Sequence, residues 1–334
     1  MIRYLLLLLF WLGSAISAEP ANPSDPSPEV LQEVFIQEMV TQHGFRAEEL
    51  RTLLASAKVK ESILETIARP AEKRLTWGEY RRIFLTRERV KGGLRYWQAN
   101  RLALQRAEKT YGVPAHIIVA IIGVETRYGR HAGRYRVLDA LTTLGFHYPP
   151  RAAFFRRELG EFLLLSREEQ SNPLALLGSY AGAMGKPQFI PSSFRAYAVD
   201  FDGDGRRDIW NNDADVIGSV ANYFARHGWR PGEPVAQRVQ VPNVTPALQA
   251  VIDRGYKPSS TVGELIDAGV ILNTPLAPDL PAALLALEGE SGTEYWLALP
   301  NFYVITRYNH SPLYAMAVYQ LSDAIQRLID HDAS

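Results

Sequence analysis

Apolar positions recur at helical spacing along most of this chain, and they predict its elements. From Pro28, the residues Val30, Leu31, Val34, Phe35 and Met39 mark an amphipathic first helix ending near Gly44. Ala47–Ala57 and Lys60–Ala68 read as two more short helices. Thr76 and Glu79 have the spacing of a capping box and open a helix through Phe84 towards Arg89. Lys91–Tyr111 reads as one long helix with a basic outer face. The whole N-terminal stretch therefore reads as helical packing with no site of its own. Beyond residue 130, Tyr135–Leu144, Ala152–Leu165, Ser192–Ala198 and Asp215–His227 are helical, with Pro173–Leu177 as a short continuation. Gly178–Pro191 has no clear period. From Pro231 the pattern becomes mixed: Val235–Val241 alternates like a strand, and Pro246–Asp253 and Val262–Ala268 read as short helices. Leu284–Glu288 and Glu294–Leu299 suggest a hairpin turning at Gly289 and Gly292, and Tyr314–Ile329 is a closing helix.

One stretch organises the rest. Val113–Gly129 (VPAHIIVAIIGVETRYG) is a strongly apolar helical pattern, with Pro114 suited to its first position and Gly129 to its stop. Glu125 shares a face with Ile118, Ile121 and Ile122. Aliphatic neighbours desolvate a carboxylate, and the negative end of the helix dipole acts in the same sense, so both raise its pKa. A glutamate kept protonated near neutral pH is a general acid. The plainer alternative pairs Glu125 with Arg127 or Arg130, or turns it to solvent.

Composition adds limits. The 334 residues include 36 basic and 36 acidic side chains and no Cys. Zero net charge gives no basic field for nucleic acid or anionic lipid. The absence of Cys excludes disulfides, thiolate metal sites and Cys nucleophiles. Arg3 precedes the apolar run Tyr4–Leu12, and Gly13–Ala18 is a small-residue region, so residues 1–18 read as a signal peptide cut after Ala18, against the rival of an uncleaved anchor. The expected destination is the periplasm. Residues 19–28 (EPANPSDPSP) form a proline-rich linker.

The sharpest local motif is DFDGDGRRDIW from Asp200. Asp200, Asp202 and Asp204 occupy loop positions one, three and five, with Gly205 at six, which is the spacing of an EF-hand calcium loop. Arg206 offers its carbonyl from the next position. Asn211 stands where the bidentate Glu belongs, and Asp213 or Asp215, at the start of the next helix, is placed to replace it; the plainer alternative is an Asx-rich turn without metal. Without a metal, three alternating aspartates repel one another. The expected cofactor is a structural Ca2+, with no organic cofactor. A second set is polar and aromatic: Ser179, Tyr180, Met184, Gln188, Phe189, Tyr223, Tyr308, Asn309 and Tyr314. Aromatic faces and amides suit sugar rings, although each residue alone fits a packing role equally. There is no GxSxG elbow, P-loop, HExxH or dinucleotide fingerprint.

Several blocks, taken together and in order, resemble the lytic murein transglycosylase B family. They are GVETRYG (123–129), GSYAGAMGKPQFIPSSF (178–194), AVDFDGDG (198–205), IGSVANYFARHGW (217–229) and NFYVITRYNHSPLYAMAVYQL (301–321). The resemblance implies a mainly α (α+β) fold: a lysozyme-like helical catalytic core, a helical N-terminal domain and a small β-containing subdomain. The corresponding division is a helical domain over 29–110 joined by 315–334, a core over 111–230 with its EF-hand-like loop at 200–215 joined by 301–314, and a subdomain over 231–300. The implied reaction cleaves the β-1,4 bond between N-acetylmuramic acid and N-acetylglucosamine of peptidoglycan without water, leaving a 1,6-anhydro ring. Glu125 is then the single acid and later base. Ser179, Gln188, Phe189, Tyr223, Tyr308, Asn309 and Tyr314 line the glycan groove. Asp200, Asp202, Asp204, the Arg206 carbonyl and Asp215 hold calcium. Glycan strands are the expected partner, other cell-wall enzymes further ones, and nucleic acid none.

The chain departs from the family at three points. It has no cysteine to lipidate. Pro150 and Phe154 stand where the family can have an arginine and a tyrosine against substrate. Asn211–Asp215 runs one residue longer than the family loop. Two other readings compete: a hydrolytic muramidase with Asp139 as second carboxylate, and a non-catalytic, calcium-stabilised peptidoglycan-binding scaffold.

Overall fold

A computed structural model describes residues 26–68 and 75–333. The expected signal peptide and residues 19–25 of the linker lie outside them. The chain begins with α1 (Pro28–His43), α2 (Ala47–Ala55), α3 (Glu61–Ala68), α4 (Trp77–Phe84), α5 (Arg87–Ala99), α6 (Arg101–Tyr111) and α7 (Ala115–Thr126). Strand β1 (Tyr135–Arg136), α8 (Val137–His147), α9 (Ala152–Glu168), β2 (Leu177–Gly178), α10 (Pro191–Tyr197) and α11 (Asp213–Arg226) follow. The remainder comprises β3 (Ala236–Gln240), α12 (Pro246–Asp253), β4 (Ser260–Thr261), α13 (Val262–Asp267), β5 (Ile271–Leu272), β6 (Pro281–Gly289), β7 (Gly292–Ala298), α14 (Pro300–Tyr308) and α15 (Pro312–Ala333). The class is mainly α with small antiparallel sheets. Among the described residues, no helix is long and apolar enough to cross a membrane.

Capping chemistry explains several boundaries. Ser27 accepts from the Val30 amide at the start of α1, and Gly44 ends that helix in the left-handed region at φ 68°. The Thr76–Glu79 capping box forms both of its bonds at α4. The expected single helix over Lys91–Tyr111 is instead two. Asn100 breaks it at φ −116°, and its side-chain amide donates to the Tyr96 carbonyl at 3.0 Å. Asparagine competes locally for backbone bonds, and helical periodicity does not register that. Pro173–Leu177 is likewise not helical. A turn leads there into β2, which pairs with β1.

The chain divides into two compact units. Of the described residues, one contains 75–128 and 220–333, the other 26–68 and 129–219. The stretch expected as one core, 111–230, thus contributes 111–128 and 220–230 to the first unit and 129–219 to the second. In the first unit, α7 packs against α15, α5 and α6. The same unit carries a five-stranded antiparallel sheet of order β4-β6-β7-β3-β5, built on the β6–β7 hairpin. Val239, Leu248, Val262, Leu265, Leu284 and Leu297 form its core.

In the second unit, α8 packs against α9, α3 and α1. Asp139 on α8 is only 2 % exposed. Its Oδ1 accepts from the Lys58 amide at 2.9 Å and from Arg136 Nη2 at 2.6 Å, and its Oδ2 accepts from Arg136 Nε at 3.0 Å. Arg136 also donates to the Ser56 carbonyl, and Thr143 accepts from the Lys60 amide. Asp139 therefore ties the α2–α3 connection to α8. Removing one member of a buried charged pair leaves the other unsatisfied. Asp139→Ala is expected to lower the unfolding free energy by about 2–4 kcal/mol in urea denaturation. A change within about 0.5 kcal/mol would show that the pair carries no stability.

Candidate active site

Helix α7 is apolar on every side: Ile117, Ile118, Val119, Ala120, Ile121 and Ile122 are all essentially inaccessible. Such a helix belongs in the middle of a core. Pro114 caps it rather than occupying its first turn, and it ends at Thr126, three residues before the expected stop at Gly129. Its one carboxylate, Glu125, sits in the last turn and is 7 % exposed. The Tyr314 hydroxyl, from the first turn of α15, donates to Glu125 Oε1 at 2.5 Å. Glu125 is thus held by a neutral phenol and not by Arg127 or Arg130. Burial pushes its pKa up to about 7, against the smaller downward pull of the Tyr314 hydrogen bond.

A wall of phenols surrounds this carboxyl. Tyr308, at the end of α14, is half-buried and Tyr314 is buried; desolvation raises the pKa of both, and the charge of Glu125 adds to the rise. Tyr308 packs at 4.8 Å from Tyr223 and 5.7 Å from Phe224, both on α11. The Tyr223 hydroxyl donates to the Arg307 carbonyl at 2.6 Å, fixing the α14 end against α11. Asn309 follows as the α14 cap, with a buried side-chain oxygen that has no hydrogen-bond partner. The structure therefore gathers Glu125, Tyr223, Tyr308, Asn309 and Tyr314 in one unit, from sequence positions far apart. It also adds Tyr80 of α4, 2 % exposed and near enough that the charge of Glu125 raises its pKa. Sequence reasoning passed over Tyr80, because its helical spacing with Trp77 and Phe84 marks only packing.

Ser179, Gln188 and Phe189 belong to the other unit. The aperiodic loop that carries them is folded on itself. Met184 and Phe189 exchange backbone bonds at 2.8 and 3.1 Å, and Ser179 Oγ accepts from the amides of Ala181 and Ala183. Gln188, at φ 55°, donates its side-chain amide to the carbonyls of Ala132 and Gly185. Its side-chain oxygen remains outside those bonds. Met184 and Phe189 are buried, as packing residues are.

The same unit holds the acidic loop. Oxygens of Asp200, Asp202 and Asp204 lie within 4.8 Å of one another. Asp200 accepts from the amides of Gly203, Asp204 and Gly205, and Gly205 takes φ 91°, a conformation a side chain would strain. Asp202 accepts from Asn212, and Asp204 from the Arg206 amide. Asp215 is fully buried at the first turn of α11, and its two oxygens accept from the amides of Phe201 and Asp208 at 2.7 and 2.8 Å. A cluster of hard oxygen donors of this kind matches Ca2+ rather than a softer metal.

Comparison with known proteins is consistent across sequence and structure. A family model described as a transglycosylase SLT domain matches residues 29–323. The chain is 43 % identical to the membrane-bound lytic murein transglycosylase B of Escherichia coli, over 97 % of both chains. It superposes on the soluble lytic transglycosylase SltB1 of Pseudomonas aeruginosa with a TM-score of 0.86 and 53 % identity, covering 89 % of this chain and 99 % of that one. It superposes on the E. coli lytic transglycosylase Slt35, solved in complex with calcium, with a TM-score of 0.81 and 46 % identity, covering 89 % and 93 %. The lysozyme-like α+β class expected from the sequence is the fold it shares with them. By the span of the matching family model and by this identity, the chain belongs to the transglycosylase SLT domain family of lytic transglycosylases.

Proposed function

We propose that this protein cleaves the β-1,4 bond between N-acetylmuramic acid and N-acetylglucosamine in peptidoglycan and closes a 1,6-anhydro ring, with Glu125 as sole acid and base. The observation that carries this reading is the burial of Glu125 beside the Tyr314 hydroxyl. The Tyr314 bond occupies Oε1 and leaves Oε2 as the proton-bearing oxygen. Neutral Glu125 gives that proton to the glycosidic oxygen as the bond to C1 breaks. The substrate's N-acetyl group stabilises the cationic carbon. Glu125, now a carboxylate still held by Tyr314, takes the proton of the C6 hydroxyl as O6 bonds to C1. The proton is returned, no water enters, and the acid is regenerated.

The cycle requires no second carboxylate, and Glu125 is flanked by phenols. Two-carboxylate glycosidases place the pair within about 5–10 Å, where each charge perturbs the other. Among the described residues, the shift of Glu125 arises from burial and Tyr314 without a carboxylate contribution. Asp139, the candidate base for a hydrolytic muramidase, has both oxygens engaged by Arg136 and one also by the Lys58 amide. We assign glycan contacts to Tyr223, Tyr308, Asn309 and Tyr314, which share a unit with Glu125, and, on the family resemblance alone, to Ser179, Gln188 and Phe189. We further assign a structural Ca2+ to the loop, held by the carboxylates of Asp200, Asp202 and Asp204, the Arg206 carbonyl and Asp215. Each Asp215 oxygen keeps a lone pair beyond its amide bond. Slt35 in complex with calcium supports this choice of ion. Residues 1–18 would direct the protein to the periplasm, where glycan strands lie; further cell-wall enzymes are candidate partners there.

Three measurements bear on these assignments. Glu125→Gln is expected to abolish release of soluble muropeptides from sacculi while the protein stays folded; products of the wild type should be one water lighter than muramidase products by mass spectrometry. Retained activity in Glu125→Gln would remove Glu125 from the reaction. The raised pKa sets the pH dependence: the acid is active while protonated, so kcat/KM should hold below and fall above about pH 7. An alkaline limb beyond about pH 9 would assign it to another group. Chelation should lower the melting temperature, and added Ca2+ restore it, by mass action. An unchanged melting curve after confirmed metal removal would contradict a stabilising ion.

A further inference from the structure

Helix α7 ends on an unusual turn directly beyond Glu125. Arg127, Tyr128 and Gly129 are consecutive residues with φ of 51°, 62° and 85°. A non-glycine residue in the left-handed region costs about 1–2 kcal/mol, so two in succession must be held there by contacts. Tyr128 supplies such contacts. Its ring folds back beneath its own helix into a socket lined by glycines. A Cβ on Gly123 would stand 2.6 Å from the Tyr128 hydroxyl, and one on Gly92 would stand 2.7 Å from the ring. A Cβ on Gly93 would meet the hydroxyl at 2.8 Å and Ile325 of α15 at 2.4 Å. The ring stacks on Tyr96 of α5 with centroids 5.7 Å apart, and the hydroxyl donates to the Arg89 carbonyl at 2.8 Å. Three glycines, one aromatic face and one carbonyl thus clasp a single side chain.

We propose that Tyr128 is a positioning residue for the reaction: it latches the end of α7 to α5 and so holds Glu125 in its buried place against Tyr314. Last-turn residues fray because their carbonyls lack intrahelical partners. Glu125 lies in that turn, and its bond to Tyr314 has a tolerance of a few tenths of an ångström. A frayed end admits water to the carboxyl, and water removes the desolvation that keeps it protonated. The latch therefore acts on chemistry through the acidity of Glu125, not through contact with substrate. This inference rests on the role given to Glu125 above.

The groups that face Glu125 are the phenols of Tyr80 on α4, Tyr308 on α14 and Tyr314 on α15, each raised above the ordinary tyrosine range. Arg89, beside Tyr80 and Tyr128, is pushed down to about 10 by burial and by Arg127. His116, at the opposite end of α7, is held below its usual value by burial. None of the facing phenols, nor Arg89, titrates between pH 6 and pH 9, so a limb in that range reports on Glu125.

The experiment compares three variants on purified peptidoglycan: Tyr128→Phe, which keeps the ring and removes the hydroxyl bond; Gly123→Ala, which fills the socket; and Leu248→Ala, a cavity in the distant sheet core. The first two are expected to lower kcat about 10-fold with KM within about twofold, and to move the alkaline limb downward by half a unit or more, towards the ordinary carboxylate range. Leu248→Ala should lower the melting temperature while leaving kcat per folded molecule and the limb in place. If Tyr128→Phe and Gly123→Ala behave like Leu248→Ala, or lose kcat with no movement of the limb, the latch is refuted. If Glu125→Gln is itself active, the reading of Glu125 fails first; an inactive Glu125→Gln beside an unperturbed Tyr128→Phe refutes the latch alone.

Discussion

The buried hydrogen bond from Tyr314 to Glu125 is the interaction on which everything else depends. Burying a carboxyl away from water favours its neutral form. Full burial with no partner would strand a polar group at a cost of about 1–3 kcal/mol. One phenol meets both demands: it satisfies an oxygen and brings no formal charge to force ionisation. A lysine or arginine in its place would drop the pKa and leave a permanent carboxylate, useless as an acid near neutral pH. The side chains of Tyr80 and Tyr308 extend the same logic, since their raised pKa values make them too weakly acidic to compete for the proton.

The acidic loop solves the opposite problem. Asp200, Asp202 and Asp204 are exposed, and backbone amides of the loop itself satisfy much of their acceptor capacity. Asp215, fully buried, clamps the two ends of the loop through the amides of Phe201 and Asp208. Burial therefore pushes the pKa of Glu125 up, whereas the backbone amides of Gly205, Gly203 and Asp204 hold that of Asp200 down. The first arrangement suits proton transfer and the second suits a hard cation.

Much of this was legible in the sequence, for physical reasons. Helical periodicity located α1 and α7, and a spacing rule found the α4 capping box and the acidic loop. Glu125 stood out because a lone acid in an aliphatic stripe is anomalous. What periodicity missed was local competition and long-range closure. Asn100 ends a helix by bonding the Tyr96 carbonyl, and no apolar pattern registers that. The two-residue strands β1 and β2 are too short to show alternation. The periodicity of the N-terminal helices points to packing alone, yet α4 brings Tyr80 to Glu125, and α5 supplies Gly92 and Gly93 to the Tyr128 socket. Tyr314 as the partner of Glu125, 189 positions away in sequence, is visible only once α15 lies against α7.

The central claim is that Glu125 carries a proton at neutral pH because the fold desolvates it. The most direct measurement is a carboxyl carbon-13 NMR titration of glutamate-labelled protein, with the Glu125 signal assigned by its loss in Glu125→Gln. The account predicts a midpoint near 7, as burial dictates. A midpoint at about 4.5, the value of a solvated glutamate, would contradict it.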